Sequence, residues 1–465
     1  MNVDNVKEVR FDNGFRVLLY ERRGLPVVAS VLWYLVGARD ERHAESGVSH
    51  FLEHMMFKGT ARLRKGEIDL LTSKMGGANN AFTDNDETVY HFALASDRWE
   101  TALEIEADRM RGCLLDPHEF AAEKAVVLEE LAMGEDDPWR MLHQAAESLA
   151  FQVHPYRQPV IGWKQDLERL THDGMRSYYD RNYGPNRAFL VVVGDIDSAR
   201  TEDRVRELFG GLPAVAAARE ACLSEPQQKG ERRAVQRFPG RLSRAAVALR
   251  TCRIGEDDDL ALDVANQILG SGRTSRLYRR MVQGDALATD VQTHNETRLD
   301  PGLFWMEFEL KPGADRDRAE AALRQEVEAF MQRGPTAAEL RRAHTQIDAA
   351  LQFDEESTMD LAIKIGRFEA GVPGGHRALA DLAQRYRAVD ARRVRDVMAR
   401  YFVPDHWNVV WSLPTEEEHT ASQKRRVPAR KKATRKKSTR KKPTRKRAAR
   451  VGQTRQAGRR RQAGR

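Results

Sequence analysis

Leu170-Thr171-His172-Asp173-Gly174-Met175-Arg176-Ser177-Tyr178-Tyr179 has helical spacing, Tyr183-Gly184-Pro185 interrupts it, and Ala188-Phe189-Leu190-Val191-Val192-Val193 follows as an unbroken apolar run. Proline and the residue before it resist helix, so a boundary falls there. A short β-branched run bounded by turn residues reads as a strand buried on both faces. The same order returns downstream: a helical pattern from Val389, then Phe402-Val403-Pro404, then Trp407-Asn408-Val409-Val410-Trp411. Pro185 and Pro404 lie 219 residues apart. A second pair keeps nearly the same offset. Pro117 opens a predicted helix over Phe120–Met133 and Pro335 one over Ala338–Leu351, 218 residues further on. Elements recurring in one order at one offset predict a duplicated α/β domain. The expected boundaries are 1–215 and 236–415, joined by a linker at 216–235 where periodicity is lost, with a tail at 416–465.

Outward from that stretch, Val9–Phe11 and Phe15–Tyr20 flank Asp12-Asn13-Gly14, a turn that favours a hairpin. A strand is expected over Val27–Val36, helices over Gly47–Phe57 and Ile68–Met75, and a strand at Thr88–Phe92. Long amphipathic helices follow at Trp99–Met110 and Phe120–Met133. Trp33, Trp99, Trp163, Trp305 and Trp411 sit in apolar segments and are expected in the core.

The 465 residues carry a formal net charge of +8 that is unevenly spread. Residues 421–465 hold 21 of the 77 Lys and Arg and none of the 69 Asp and Glu. That leaves residues 1–420 with 56 basic against 69 acidic side chains, a net of −13. The body is therefore no generic basic nucleic-acid-binding domain. Three distant cysteines, Cys113, Cys222 and Cys252, exclude a disulfide scaffold and a thiolate zinc site. A polar start without an apolar signal core and the lack of a long apolar run predict a cytoplasmic chain with no membrane span.

His50-Phe51-Leu52-Glu53-His54 is the sharpest chemical signal. On a helix, positions i, i+3 and i+4 share a face, so both imidazoles and the carboxylate converge. Neutral imidazoles suit Zn²⁺, and catalytic zinc commonly takes three protein ligands. The same five residues also suit an ordinary amphipathic helix with two partly exposed histidines. A third ligand is sought in Glu123-Lys124-Ala125-Val126-Val127-Leu128-Glu129-Glu130. Glu123 and Glu130, seven apart, share a helix face with Val126 and Val127. Two carboxylates on a half-apolar face call for a cationic partner: one to ligate, the other to hydrogen-bond a ligand histidine. A surface helix rich in Glu is the competing reading.

The inverted order of the motif, with Glu130 lying 76 residues after His54, resembles the inverzincins of the pitrilysin/insulinase family. The likeness is closest to short members such as the mitochondrial processing peptidase β-subunit and bacterial relatives. It extends through Gly47-Val48-Ser49, Phe57-Lys58-Gly59-Thr60, Gly76-Gly77-Ala78-Asn79, His154-Pro155-Tyr156, Tyr183-Gly184-Pro185-Asn186 and Leu269–Tyr278. The resemblance implies an α+β fold of two homologous domains, each a mixed or antiparallel sheet covered by helices, together forming half of a clam-like chamber. It implies one Zn²⁺ held by His50, His54 and Glu130, with Glu53 as general base on the zinc-bound water. Glu123 would orient a ligand histidine, and the strand Asn80-Ala81-Phe82-Thr83 would receive an extended substrate.

The resemblance also marks departures. Residues 255–293 contain no histidine, so that stretch of the second domain hosts no equivalent zinc centre. A full chamber has four such domains, which implies a second copy or a related non-zinc subunit as partner. The family's oxyanion-stabilising Arg/Tyr pair has no assigned position here; Tyr278 is expected to pack, and Arg273 and Arg276 to lie in a solvated loop. The polybasic tail has no apolar anchors and is expected to be disordered and to contact polyanions or nucleic acid without sequence preference. Two functions follow: a zinc metalloendopeptidase for peptides or unfolded segments, or a non-catalytic scaffold subunit tethered by its tail.

Overall fold

A computed structural model describes residues 1–216 and 224–415. Cys222, part of the expected linker and the whole basic tail lie outside the described residues. The chain begins with β1 (Val6–Arg10) and β2 (Arg16–Glu21), an antiparallel hairpin turned at Gly14, whose φ of +88° suits glycine. Next come β3 (Val27–Tyr34), α1 (Val48–Met55), α2 (Glu67–Lys74), β4 (Ala78–Thr83), β5 (Thr88–Ala95), α3 (Glu100–Gly112), α4 (Pro117–Glu135) and α5 (Pro138–Ala150). The first half closes with α6 (Lys164–Arg169), α7 (His172–Asn182), β6 (Ala188–Gly194) and α8 (Ser198–Phe209). The second half holds β7 (Arg232–Phe238), β8 (Arg244–Arg250), α9 (Asp257–Leu269), β9 (Ala288–Glu296) and β10 (Leu303–Leu310). It continues with α10 (Arg316–Arg333), α11 (Ala337–Phe353), α12 (Thr358–Gly371), α13 (Leu382–Ala388), α14 (Ala391–Tyr401) and β11 (Asn408–Pro414).

The two sheets repeat one topology. The first runs β1-β2-β6-β3-β5-β4 and the second β7-β11-β8-β10-β9. In each, the opening strand of the repeat pairs parallel with the last (β2 with β6, β7 with β11), and the remaining pairs are antiparallel. Dropping β1, the five strands correspond one to one in chain order. The duplication expected from the proline offsets is therefore present in the strand pairing, and the fold is the expected pair of helix-covered mixed sheets. Among the described residues no helix is long and apolar enough to cross a membrane.

The halves exchange helices. One face of the first sheet supplies Leu18, Val31, Trp33, Val89 and Val191 to a core completed by Leu361, Ala362 and Ile365 of α12. Reciprocally, Leu142, Ala146 and Ala150 of α5 cover Ala246, Ala248, Trp305 and Val410 of the second sheet. The starts of α5 and α12, Pro138 and Thr358, are 220 residues apart, so the exchange obeys the same repeat. Each sheet buries one face under its own half and the other under a helix from its twin, which removes both apolar faces from water.

Two expectations need correction. Trp163 is 36% exposed, because it stands at the entrance to the short α6, outside the sheet layers. Arg276 is not in a solvated loop: it pairs with Glu339 at 2.7 Å and lies over the Phe330 ring. Tyr278 is partly buried against the second core, as expected. Cys113 and Cys252 are buried free thiols whose pKa burial raises, that of Cys113 to about 11, so neither is poised to react.

Candidate metal centre

The helix carrying the histidines is fixed at its start. Gly47 enters α1 at φ +89°, and a Cβ there would meet the Ile161 carbonyl oxygen at 2.4 Å, so only glycine fits. The Glu41 carboxylate accepts from the Gly47 and Ser49 backbone N–H groups at 2.8 and 2.9 Å, satisfying donors left free at a helix N-terminus. Burial pushes Glu41 up to about 8, against the pull of those two N–H donors. Val48, Phe51, Leu52 and Met55 face the core, which leaves His50, Glu53 and His54 on the opposite side. α4 starts at Pro117 behind Asp116, whose side chain accepts from His118 and Glu119 N–H. Phe120 of α4 stacks on Phe51 of α1, with ring centroids 4.9 Å apart, and Val127 is fully buried. That packing sets Glu123 and Glu130 against α1; Val126, expected on the same half-apolar face, is instead exposed.

One nitrogen of each histidine and one oxygen of Glu130 lie within 4.8 Å of one another. His50 Nε2 is 3.8 Å from Glu130 Oε1, and His54 Nε2 is 3.5 Å from Glu130 Oε2. A tetrahedral ion with bonds of about 2.0–2.1 Å needs ligand atoms at comparable spacing. The donor set fits zinc electronically as well. His54 Nδ1 meets Glu123 Oε1 at 3.0 Å, a pairing that sets Nε2 free to face Glu130. His50 is held neutral, its pKa lowered to about 4 by burial and then by the nearby His54 and Arg140 charges. A neutral imidazole keeps the lone pair a metal requires.

Beside the three, Glu53 accepts a 2.6 Å hydrogen bond from Thr83 Oγ1 at the end of β4. Burial raises the Glu53 pKa, and the Thr83 hydrogen bond only partly offsets it. Among the described residues β4 is the edge of the first sheet, paired on one side alone, by β5. Its residues Asn80, Ala81, Phe82 and Thr83 alternate between exposed and half-buried, and Thr83 brings the end of the strand to Glu53. Lys58 was not anticipated. Its Nζ is 2.5 Å from Glu123 Oε2, while His54 takes the other oxygen. Burial alone would raise the Glu123 pKa, but the Lys58 and His54 hydrogen bonds outweigh it and hold the carboxylate below its ordinary value. The only sequence signal was the position of Lys58 four residues after His54, one helical turn on.

Two sheets of one topology, with an inverted His-x-x-Glu-His helix and a distant glutamate beside an edge strand, define the class of fold. Comparison with known proteins narrows it. The insulinase (peptidase family M16) profile matches residues 16–164, and the peptidase M16 inactive-domain profile matches residues 169–347. A zinc protease named PqqE from Helicobacter pylori is 30% identical over 365 residues, covering 77% of this chain and 81% of its own. A Bacillus subtilis protein, YmxG, described as an uncharacterized zinc protease, is 28% identical over 402 residues, covering 86% and 97%. The crystal structure of a protease from Helicobacter pylori matches 88% of this chain and 99% of that one, with 26% identity and a TM-score of 0.85. The periplasmic protease PqqL of Escherichia coli shares the fold at a TM-score of 0.74 and 20% identity; the match covers 91% of this chain but 49% of that longer one. The chain belongs to the insulinase (M16) peptidase family.

Proposed function

We propose that this chain is a zinc metalloendopeptidase that hydrolyses peptides or unfolded polypeptide segments. The observation that carries the reading is the convergence of His50, His54 and Glu130 next to a buried carboxylate, Glu53, at the end of an edge strand. The names of the relatives, zinc proteases, support it. Zinc held by the three side chains would supply a Lewis acid that polarises the scissile carbonyl and acidifies water.

The chain's own groups divide the remaining work. Glu123, braced by Lys58, holds His54 by Nδ1 and orients its ring. Glu53 takes the proton of the attacking water and passes it to the leaving amine; its raised pKa suits a group that must both accept and release a proton near neutrality. Thr83 donates to Oε2 of Glu53, and the other carboxylate oxygen takes the proton. The free edge of β4, Asn80 to Thr83, offers backbone groups to an extended substrate, which would be held as an added strand.

A partner half completes the reading. In this reading the chamber is made from two such units, here a second copy or a related subunit without zinc. The tail supplies a separate contact: Lys431 to Arg445 reads as three successive Lys-Lys-x-Thr-Arg units, a polycation suited to phosphate-rich partners. A non-catalytic scaffold of the same fold is the other reading. It has no use for a base placed beside three ligands. Metal analysis together with chelator-sensitive cleavage of an internally quenched peptide separates the two. A protein that binds no zinc and cleaves nothing, alone or with its partner, is the scaffold.

A further inference from the structure

One cation beside the α1 centre takes no part in holding it. Arg140 stands in the first turn of α5, two residues after the proline that opens the helix. Its guanidinium is seated against α4 at Gly134. A Cβ there would fall 2.4 Å from one guanidinium nitrogen and 2.5 Å from the guanidinium carbon, so glycine makes room for it. Gly134 follows Glu130 by four residues, which puts the guanidinium about one helical turn along α4 from the third candidate ligand. Its field reaches a second ligand: after burial and the His54 charge, Arg140 is the remaining influence that lowers the His50 pKa.

Other cations close to the centre have carboxylate partners. Lys58 is held by Glu123, and Arg109 pairs with Glu106 at 2.6 Å. Among the described residues Arg140 pairs with no carboxylate. Asp137, three residues before it, caps α5 instead and accepts from the Trp139 and Arg140 backbone N–H groups at 2.8 and 3.3 Å. Around Arg140 opens a cleft of about 370 Å³, with Trp139, Val160 and Ile161 in its walls. The remaining charged groups of the cleft are engaged across the fold: His143 contacts Glu307, and Glu147 pairs with Arg298 at 2.6 Å. One wall abuts the start of α1. A Cβ on Gly162 would fall 2.6 Å from the Gly47 Cα, and His50 lies three residues further on. The cleft thus opens beside the candidate ligands, with apolar walls and one unpaired positive charge.

We propose that Arg140 sets substrate specificity: it receives the carboxylate of an Asp or Glu side chain close to the scissile bond, so that the chain selects acidic peptide segments. The proposal rests on the metallopeptidase reading and names the substrate class of that site. Lengths set the reach. The guanidinium is one turn, about 5.4 Å, along α4 from Glu130, and an extended substrate advances about 3.3 Å per residue, so the acidic side chain belongs within about three residues of the cleaved bond. A guanidinium offers a carboxylate two parallel N–H groups, and apolar walls that exclude water strengthen such a charge-assisted pair. The same charge repels Lys and Arg side chains, so selection also works by rejection.

Matched peptides test this with a readout that a purely structural role would not move. Internally quenched peptides of one sequence carry Glu, Gln or Lys at each of the three positions on either side of the scissile bond. With the full chain, in the assembly in which it is active, kcat/KM at one of these positions should be about 10-fold higher for Glu than for Gln, with Lys the poorest. The advantage of Glu over Gln should vanish in Arg140→Gln, and Arg140→Glu should make Lys the best. Affinities of the same peptides for Glu53→Gln, read by fluorescence anisotropy at low salt, should follow the wild-type order without turnover. Glu and Gln peptides bound and cleaved alike, or a Glu preference that survives Arg140→Gln, overturns the proposal. A Glu preference in binding that depends on Arg140, with no peptide cleaved, upholds the subsite and defeats the peptidase reading. Cleavage of Glu and Gln peptides at one rate does the reverse.

Discussion

Glu123 on α4 and His54 on α1 meet through Oε1 and Nδ1 at 3.0 Å, and this contact joins the two helices that carry the candidate metal ligands. It selects the His54 tautomer and directs Nε2 toward Glu130. Lys58 holds the second Glu123 oxygen, so the orientation of His54 depends on a chain of three side chains.

Removing the middle of that chain should therefore weaken metal binding without unfolding the protein. Glu123→Gln is expected to lower zinc affinity by about 10- to 100-fold, as for other groups that orient a ligand histidine. Competition with a chelator of known affinity, followed alongside circular dichroism, measures it. Unaltered affinity would show that His54 is oriented by something else.

Gly366 tests the helix exchange. A Cβ at this position of α12 would fall 2.1 Å from Nε1 and 2.2 Å from Cε2 of Trp33, an indole that is 1% exposed on the first sheet. Alanine gains about 1 kcal/mol of helix propensity over glycine. Overpacking a rigid core costs about 1–3 kcal/mol, and here the obstacle is a buried ring, so the cost should prevail. Gly366→Ala is expected to lower the denaturant midpoint, whereas a raised midpoint would mean that α12 does not dock on Trp33 as described.

Glu320 on α10 predicts a pH dependence of stability. Burial opposes its ionisation, but hydrogen bonds from Arg233 of β7, Arg324 and Trp411 of β11 prevail and bring its pKa down to about 2. A carboxyl whose folded value lies below its ordinary 4.5 contributes stability that is fully present above pH 4.5 and is lost as pH falls toward 2. Unfolding free energy should thus decline over that window, and Glu320→Gln should flatten the decline. A variant as acid-sensitive as wild type would contradict the assignment.

Much of this was legible in the sequence, for identifiable reasons. Helix periodicity put His50, Glu53 and His54 on one face, and the proline offsets exposed the repeat that the strand pairing later displayed. The helix over Pro138–Ala150 carries a start signal, Asp137 before Pro138, and a buried stripe of Leu142, Ala146 and Ala150 at every fourth residue. Its destination was beyond reach, since periodicity names the buried face of a helix without naming what covers it. The same limit hid Lys58 and the His143–Glu307 contact. Both join residues distant in sequence, and only the packing of α4 on α1 and of α5 on the second sheet brings them together.

The central claim is that Glu53 moves the proton beside a metal held by His50, His54 and Glu130. It is tested most directly by measuring zinc content and peptide cleavage in wild type and Glu53→Gln, both in the assembly in which wild type is active. Zinc content at the α1 centre should be the same in both, and cleavage should fall by about 10²–10⁴-fold in the variant, the range general acid–base catalysis contributes. Equal cleavage by both proteins, or cleavage by wild type that survives complete removal of zinc, would contradict it.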